Sequence, residues 1–451
     1  MTAGQFPQAF IKREQAHLGD QWNGFKEAHL LAPPVSIRLN PRKTHQTNEG
    51  SPIPWTTHGR YLDERPPFTL DPSFHGGKYY VQEASSMFLE QAFRQHISST
   101  ESLMVLDLCS APGGKSTHLL SMMGEKSLLV SNEVIQSRAA IASENIKKWG
   151  HCNVVVTNND PKDFQRLQGS FDVIVVDAPC SGEGLFRKDP SALQEWSEEV
   201  AALCSRRQRR ILSDVWPALK EGGVLIYSTC TYNADENEEN LRWLKGEYAF
   251  ESLPIEINPG WGIQKVETES LIGYRCYPHR VKGEGFFLSA IRKLDGTPQK
   301  NLRTKAKFQI PSKNISTALK DWLHKPDDKS LLLHNDRVQF FPAERVPEVQ
   351  AIINSLHVIF AGTAMVTIKH DKLIPDHALA LSIDLNRDFF YTMQLDEKSA
   401  LQYLRKESIQ FSSSKKGFAL VTFENIGLGW VNVLDNRINN HYPSEWRIRI
   451  R

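Results

Sequence analysis

The chain has 451 residues, 24% charged and 40% hydrophobic, with a formal net charge of +2. This is the composition of a globular protein with room for two to four domains, and it excludes a disordered chain. The charge is uneven: residues 1–300 carry 33 Lys and Arg against 36 Asp and Glu, while residues 301–451 carry 21 against 16.

Between Phe6 and Leu31, apolar Phe10, Leu18, Trp22 and Phe25 follow a loose helical rhythm that Pro33-Pro34 ends. Val35–Asn40 reads as a short strand. Pro, Gly and His punctuation up to Lys78 predicts turns and short strands in a small α+β domain over residues 1–95. The runs Leu103–Leu108, Ser127–Asn132, Val154–Thr157, Val173–Asp177, Val224–Ser228 and Phe286–Ile291 then alternate with helix-compatible segments, of which Ser137–Trp149 and Ala192–Leu219 are the best. That alternation predicts a Rossmann-like, doubly wound α/β sheet over residues 96–293. A polar connector, 294–307, leads to an expected small α/β unit over 308–374, with a helix at Ala318–Trp322 and a strand at Leu331–Phe341. Runs at Phe418–Phe423, Gly429–Leu434 and Trp446–Ile450 predict a β-rich module over 375–451.

No stretch approaches the roughly 18 consecutive apolar residues of a membrane helix, and the first thirty residues lack the apolar core of a signal peptide. The expected setting is the cytoplasm, with no membrane partner. Six cysteines, at 109, 152, 180, 204, 230 and 276, are expected to be free thiols. None lies two to four residues from another, so the ligand spacing of structural zinc is absent and no metal is expected. The basic tail fits nucleic-acid backbone contact and a plain solvated surface equally well.

After the first sheet strand comes Cys109-Ser110-Ala111-Pro112-Gly113-Gly114-Lys115, a small-residue turn feeding a helix. Its glycines let a ligand approach the backbone, and the helix amino terminus can receive a carboxylate or phosphate. Gly114-Lys115-Ser116 mimics the end of a phosphate-binding P-loop, but that motif needs a glycine where Cys109 stands. A dinucleotide Gly-x-Gly-x-x-Gly cannot be drawn through residues 109–118 either. The next strand ends at Glu133, 20 residues beyond Gly113, where nucleoside-binding sheets hold ribose hydroxyls. An adenosine ligand fits. Asp160, after the third strand, either reaches the adenine or a neighbouring turn amide, or simply caps a helix.

Asp177, Cys180 and Cys230 follow two later strands, so all three are expected at the same sheet edge as the glycine turn. A single buried cysteine is ordinarily inert packing. Two after adjacent strands, one of them in Asp177-Ala-Pro-Cys180, point to chemistry. A pyrimidine carbon 5 takes a methyl group only after a nucleophile has added at carbon 6, with a donor or acid stabilising ring nitrogen 3. Asp177 suits that last task, and a second thiol suits release of the product. Spacing alone leaves open which thiol attacks.

Several blocks carry a resemblance: Gln82-Glu-Ala-Ser-Ser86, Leu106 to Lys115, Asp177-Ala-Pro-Cys-Ser-Gly-Glu-Gly184, Ser228-Thr-Cys-Thr231 with Glu236-Asn-Glu238, and Pro278-His-Arg280 with Gly283-Glu-Gly285. In these the chain resembles the Sun-type family of RNA cytosine-5 methyltransferases, over roughly residues 80–292. The resemblance implies S-adenosylmethionine as cofactor, held by Cys109 to Lys115, Glu133, Arg138, Asp160 and Asp177. It implies Cys230 as nucleophile and Cys180 as the thiol needed for release, whereas DNA cytosine methyltransferases attack with a Pro-Cys thiol. Lys115 is expected to orient substrate or Asp177. Ser110 stands where the family more often has alanine.

The tail, from Pro375-Asp-His-Ala-Leu-Ala to Asn436-Arg-Ile-Asn-Asn-His-Tyr-Pro443, resembles the bacterial ribosomal-RNA branch, which carries a PUA-like RNA-binding module. Independently, Lys415, Lys416, Arg437, Tyr442, Trp446, Arg447 and Arg449 interleave cations with aromatics, which suits phosphate contact and base stacking and, for any single residue, fits a β-barrel core with solvated lysines equally well. The expected reaction is methylation of a cytosine in 16S ribosomal RNA, free or in the small subunit, by a monomer. The rivals are a transfer-RNA methyltransferase and a non-catalytic assembly factor that keeps the fold as a scaffold.

Overall fold

Alternate residues of the central strands face opposite sides of one sheet, and both sides are apolar. Val105, Val173, Val175 and Ile226 pack into one core cluster, and Leu106, Ile174, Val176 and Leu225 into another. Continuous hydrophobic runs of this kind mark parallel strands covered by helices on both faces. The computed structural model describes residues 6–44, 50–97, 102–296, 309–370, 372–409, 415–435 and 437–450. The connector expected at 294–307 lies outside the described residues from 297 onward.

The central sheet comprises β1 (Met104–Asp107), β2 (Leu128–Asn132), β3 (Val154–Thr157), β4 (Phe171–Asp177), β5 (Leu219–Thr229), β6 (Gln264–Thr268), β7 (Leu271–Cys276), β8 (Phe286–Lys293) and β9 (Val358–Ala361). Their spatial order is β6-β7-β8-β5-β4-β1-β2-β3-β9, and Phe250–Ser252 pairs with β8 off this path. Strands β3, β2, β1, β4 and β5 run parallel. Strand β8 lies antiparallel on β5. Chain order steps outward from β1 to β3 and then restarts on the other side at β4, so a crevice opens where the carboxyl ends of β1 and β4 diverge.

Four helices matter for the site: α1 (Gly114–Met122) after β1, α2 (Gln136–Trp149) after β2, α3 (Glu198–Val215) leading into β5, and α4 (Glu238–Glu247) after it. The long helix expected over Ala192–Leu219 is broken in two. Ser197 is extended, with its side chain accepting from Val200 N, so it caps α3 and separates it from the short helix Pro190–Glu195.

The amino-terminal segment supplies the helices Gln8–Leu18 and Trp22–Ala28 and a four-stranded sheet. Its aromatic face does not stand alone. Phe10 meets Phe186 at 5.2 Å between ring centroids, and Phe25 meets Tyr232 at 5.1 Å, both edge-on, so these helices are sealed onto the loops that follow β4 and β5.

Three expectations are corrected beyond residue 300. The run Leu331–Phe341 is not one strand but a hairpin, Lys329–His334 and Arg337–Pro342. Its turn sits at Asn335, whose φ of 54° is a conformation asparagine tolerates. The segment 308–374 is not insulated from the central sheet, because β9 leaves it to pair with β3. Trp446–Ile450 is no strand: Ser444–Trp446 is a single 3₁₀ turn, and the chain beyond it plugs Ile448 into the tail's core. The tail's sheet is Tyr391–Gln394, Gly417–Phe423, Ile426–Val433 and Ile438–Asn440, its first pair parallel.

Candidate active site

The glycine turn is held from behind by α2. Arg138 donates to the Ala111 carbonyl at 3.1 Å and Asn145 to that of Pro112 at 2.8 Å. Gly113 has φ 109°, where a side chain is strained, and lets the chain swing into α1. Below the turn, the buried Asp107 accepts from Ser116 Oγ at 2.6 Å. Burial, with Asp177 nearby and against the Ser116 hydrogen bond, pushes its carboxyl up to about 7.

In front of the turn lies a cavity of about 520 Å³. Of the residues expected there, Cys109, Ala111, Glu133, Arg138, Asp177, Cys180 and Cys230 line it. Ser110, Pro112, Gly113 and Gly114 form the turn behind that lining, and Lys115 reaches the site from the first turn of α1. Glu133 is buried; one oxygen accepts from Ile135 N at 3.0 Å and the other lies 3.7 Å from Arg138. Asp160 is not among the lining residues. It caps the turn that starts at Pro161 and meets Arg210 at 3.3 Å at the rim.

Sequence reasoning missed the cavity's other walls. Val134 and Ile135 line it while remaining 53% and 49% exposed, which leaves an apolar shelf facing water. Arg207 and Arg210 reach it from α3. The signal was legible as the basic run Arg206-Arg207-Gln208-Arg209-Arg210, but no periodicity said which face of the helix met the crevice.

The two thiols meet. Cys180 Sγ and Cys230 Sγ lie 3.0 Å apart and unbonded, and the Cys230 amide donates to Cys180 Sγ at 3.3 Å. The hydrogen bond to Cys230, together with burial, holds the Cys180 thiol well above its ordinary pKa. Beside them Lys115 Nζ sits 2.8 Å from Asp177 Oδ2, while Ser228 donates to Asp177 Oδ1 at 2.8 Å. Burial depresses Lys115, but Asp177 outweighs it and the ammonium is raised overall, with Asp107 and Cys230 contributing.

The motif blocks converge here. Glu83 accepts from the Ser85, Ser86 and Glu284 amides, joining the segments Gln82–Ser86 and Gly283–Gly285. Gly184 must be glycine, because a Cβ there would lie 2.4 Å from the Gly285 carbonyl oxygen and 2.9 Å from that of Cys230.

The tail residues expected to bind RNA divide. Arg437, Arg447 and Arg449 are exposed, Lys416 pairs with Asp435, and Lys415 lies over the Tyr391 ring at 5.3 Å. Tyr442 is corrected to a core residue: it is 1% exposed and packs edge-on against His377 and Tyr403. Trp446 is half-buried against His377, with Lys148 of α2 over its ring at 5.2 Å. Neither ring stands free as a stacking platform.

Three family models match the chain in sequence: an N-terminal domain of 16S rRNA methyltransferase RsmF over residues 6–84, 16S rRNA methyltransferase RsmB/F over 95–292, and a methyltransferase RsmF PUA domain over 390–448. A ribosomal RNA small subunit methyltransferase F of Shewanella loihica is 32% identical over 98% of this chain and 95% of its own. Another, from Vibrio vulnificus, is 32% identical over 87% and 85%. Among solved structures, a methyltransferase homolog protein from Pyrococcus horikoshii superposes with a TM-score of 0.55 at 26% identity, covering 65% of this chain and 96% of its own.

Proposed function

This chain belongs to the RsmB/F family of 16S rRNA methyltransferases, and on that premise we propose that it transfers a methyl group from S-adenosylmethionine to carbon 5 of a cytosine in 16S ribosomal RNA. The observation that carries this reading is the 3.0 Å meeting of two thiols beside the Lys115–Asp177 pair, in a cavity that Glu133 also lines.

The residues fit the cofactor. Glu133 has an oxygen with no close partner but Arg138 for ribose hydroxyls, Val134 and Ile135 offer an apolar shelf to a flat base, and the amino terminus of α1 favours a carboxylate. When bound, S-adenosylmethionine supplies an electrophilic methyl group.

The protein's own residues make the ring able to accept it. Cys230 attacks carbon 6 as thiolate, while Cys180 keeps its proton. As the new carbon–sulfur bond forms, electrons of the ring double bond shift toward carbon 5 and nitrogen 3. A proton passes from the Lys115 ammonium through Asp177, which Ser228 fixes, to nitrogen 3. After methylation Cys230 is a neutral thioether, so the anionic partner that held Cys180 protonated is gone. Cys180 then gives its proton to solvent and, as thiolate, takes the one on carbon 5. The ring double bond re-forms, the Cys230 sulfur leaves as thiolate and nitrogen 3 gives back its proton.

The target base must leave its stack to reach this crevice. Arg207 and Arg210, exposed on α3 where they line the cavity, suit the flanking phosphates, with Arg437, Arg447 and Arg449 of the tail as a second contact. The test is tritium release from carbon-5-labelled cytosine in 16S ribosomal RNA, with bisulfite sequencing to locate the product. Release dependent on S-adenosylmethionine supports the reading; binding without release identifies a scaffold protein.

A further inference from the structure

We propose that Glu236-Asn237-Glu238, which touches neither the cavity nor the thiol sulfurs, is a brace whose members set the two thiols separately: Glu236 positions Cys180 and Asn237 positions Cys230. This rests on the two-thiol reading above and assigns work to a motif that reading leaves idle.

Glu236 is fully buried, and its carboxylate is spent on the loop that carries Cys180. It accepts from the Ser181 amide at 2.9 Å and from the Ser181 hydroxyl. Gln208 of α3 donates to Glu236 and to the Pro179 carbonyl, both at 2.9 Å. The residues on either side of Cys180 are thus tied to one carboxylate–amide pair. Burial raises the Glu236 carboxyl while the Ser181 hydrogen bonds pull it back, as expected of an acid kept for its acceptor geometry.

Asn237 does the same for the other thiol. Its Oδ1 accepts from Thr229 Oγ1 at 2.6 Å and its Nδ2 donates to the Thr231 carbonyl at 3.0 Å, so its amide brackets Cys230 from both chain neighbours. Glu238 extends the brace through Arg275, which donates to Glu238 at 2.7 Å and to the Tyr232 carbonyl at 2.7 Å. Ser181 Oγ and Thr231 Oγ1, 2.9 Å apart, add a further link between the two loops, beside the sulfurs, the Glu236–Ser181 bonds and the Tyr232 amide donating to Glu183 at 3.2 Å. A misplacement of about 1 Å costs on the order of 10²-fold in rate, so two loops pinned by adjacent residues are a means of fixing both steps at once.

The test uses the full chain with 16S ribosomal RNA and S-adenosylmethionine, following covalent adduct formation and decay in single turnover, beside C180A and C230A. Glu236→Ala is expected to slow adduct decay at least about tenfold while formation stays within about threefold. Glu236→Gln, which keeps an acceptor for Ser181 N and Gln208, is expected to restore most of the decay rate. Asn237→Ala is expected to slow formation at least about tenfold, with no build-up of adduct. Ser181→Ala and Thr229→Val, which remove one hydroxyl each, are milder probes of the same two arms, and thermal melting of each variant checks folding. Equal effects of both arms on both steps, or no separation in the milder pair, would overturn the brace. Should C180A fail to accumulate adduct, the two-thiol reading falls and the assignment of steps falls with it. If C180A accumulates adduct and E236A does not, only the brace fails.

Discussion

The two lips of the crevice are built differently. On the thiol side, Asp177, Cys180 and Cys230 are fixed by Lys115, Ser228, Ser181, Gln208 and the Glu236–Glu238 run, and the loops behind them are sealed by the amino-terminal helices. On the cofactor side, Val134 and Ile135 face water, Glu133 keeps an oxygen with only a distant partner, and Asp160 works at the rim. The contrast teaches where preorganisation is needed. Charge develops on the ring beside the thiols, and groups aimed at it act only if they are already in place. The other lip has merely to bind, and a ligand can complete its surface.

Breaking the thiol lip should cost most. Cys230→Ala is expected to abolish turnover, and Asp177→Asn to lower the single-turnover methylation rate by about 10²–10³-fold with cofactor affinity nearly unchanged, which equilibrium binding of S-adenosylmethionine would verify. Next comes the seal behind the lip. Phe10, wholly buried against Phe186 and Trp196, is expected to cost about 3–5 kcal/mol on truncation to Ala, read from the denaturant midpoint. Cofactor affinity should fall with it if that helix orders the site, and stay fixed if it only stabilises.

The cofactor lip should yield smaller effects. Glu133→Gln is expected to weaken S-adenosylmethionine binding by about 1–2 kcal/mol, whereas Asp160→Ala should change it by less than about threefold, because Asp160 caps a turn and pairs with Arg210 outside the lining. Calorimetry separates the two; equal losses would place Asp160 against the ligand after all. In the tail, Arg447→Ala with Arg449→Ala should reduce the salt dependence of RNA binding slightly, by about two counterions, whereas Tyr442→Ala should lower stability.

Titration sharpens the same contrast. The Cys180 thiol is raised by its hydrogen bond to Cys230 and by burial; in the adduct, where Cys230 is a thioether, burial remains, so the thiol still ionises as pH rises. Adduct decay should therefore accelerate with increasing pH while cofactor binding stays flat. Rapid-quench measurements across neutral to alkaline pH test this, and a decay rate that falls with pH would remove Cys180 as the base.

Much of the thiol lip was legible because it is written in short, chemically loaded blocks. Asp177, Cys180 and Cys230 each follow an apolar strand, and parallel strands put such residues on one edge whatever the rest of the chain does. The glycine turn was legible for the same reason. Arg207, Arg210 and Ile135 were missed because membership of a cavity depends on helix rotation, which apolar periodicity marks only for the buried face. Tyr442 and Trp446 misled because an aromatic among cations looks alike in a stacking platform and in a small core; only the packing of His377 against both rings tells them apart. Asn335 hid a turn inside an apolar run. Strand β9 was invisible, since nothing local says that Val358–Ala361 will leave its neighbours for β3.

The most direct measurement is the site of covalent attachment in the Cys180→Ala enzyme incubated with S-adenosylmethionine and 16S ribosomal RNA. The account predicts a denaturation-resistant protein–RNA adduct whose digested peptide carries the nucleotide on Cys230. An adduct on another residue, or the same accumulation in Cys230→Ala with Cys180 intact, would contradict it.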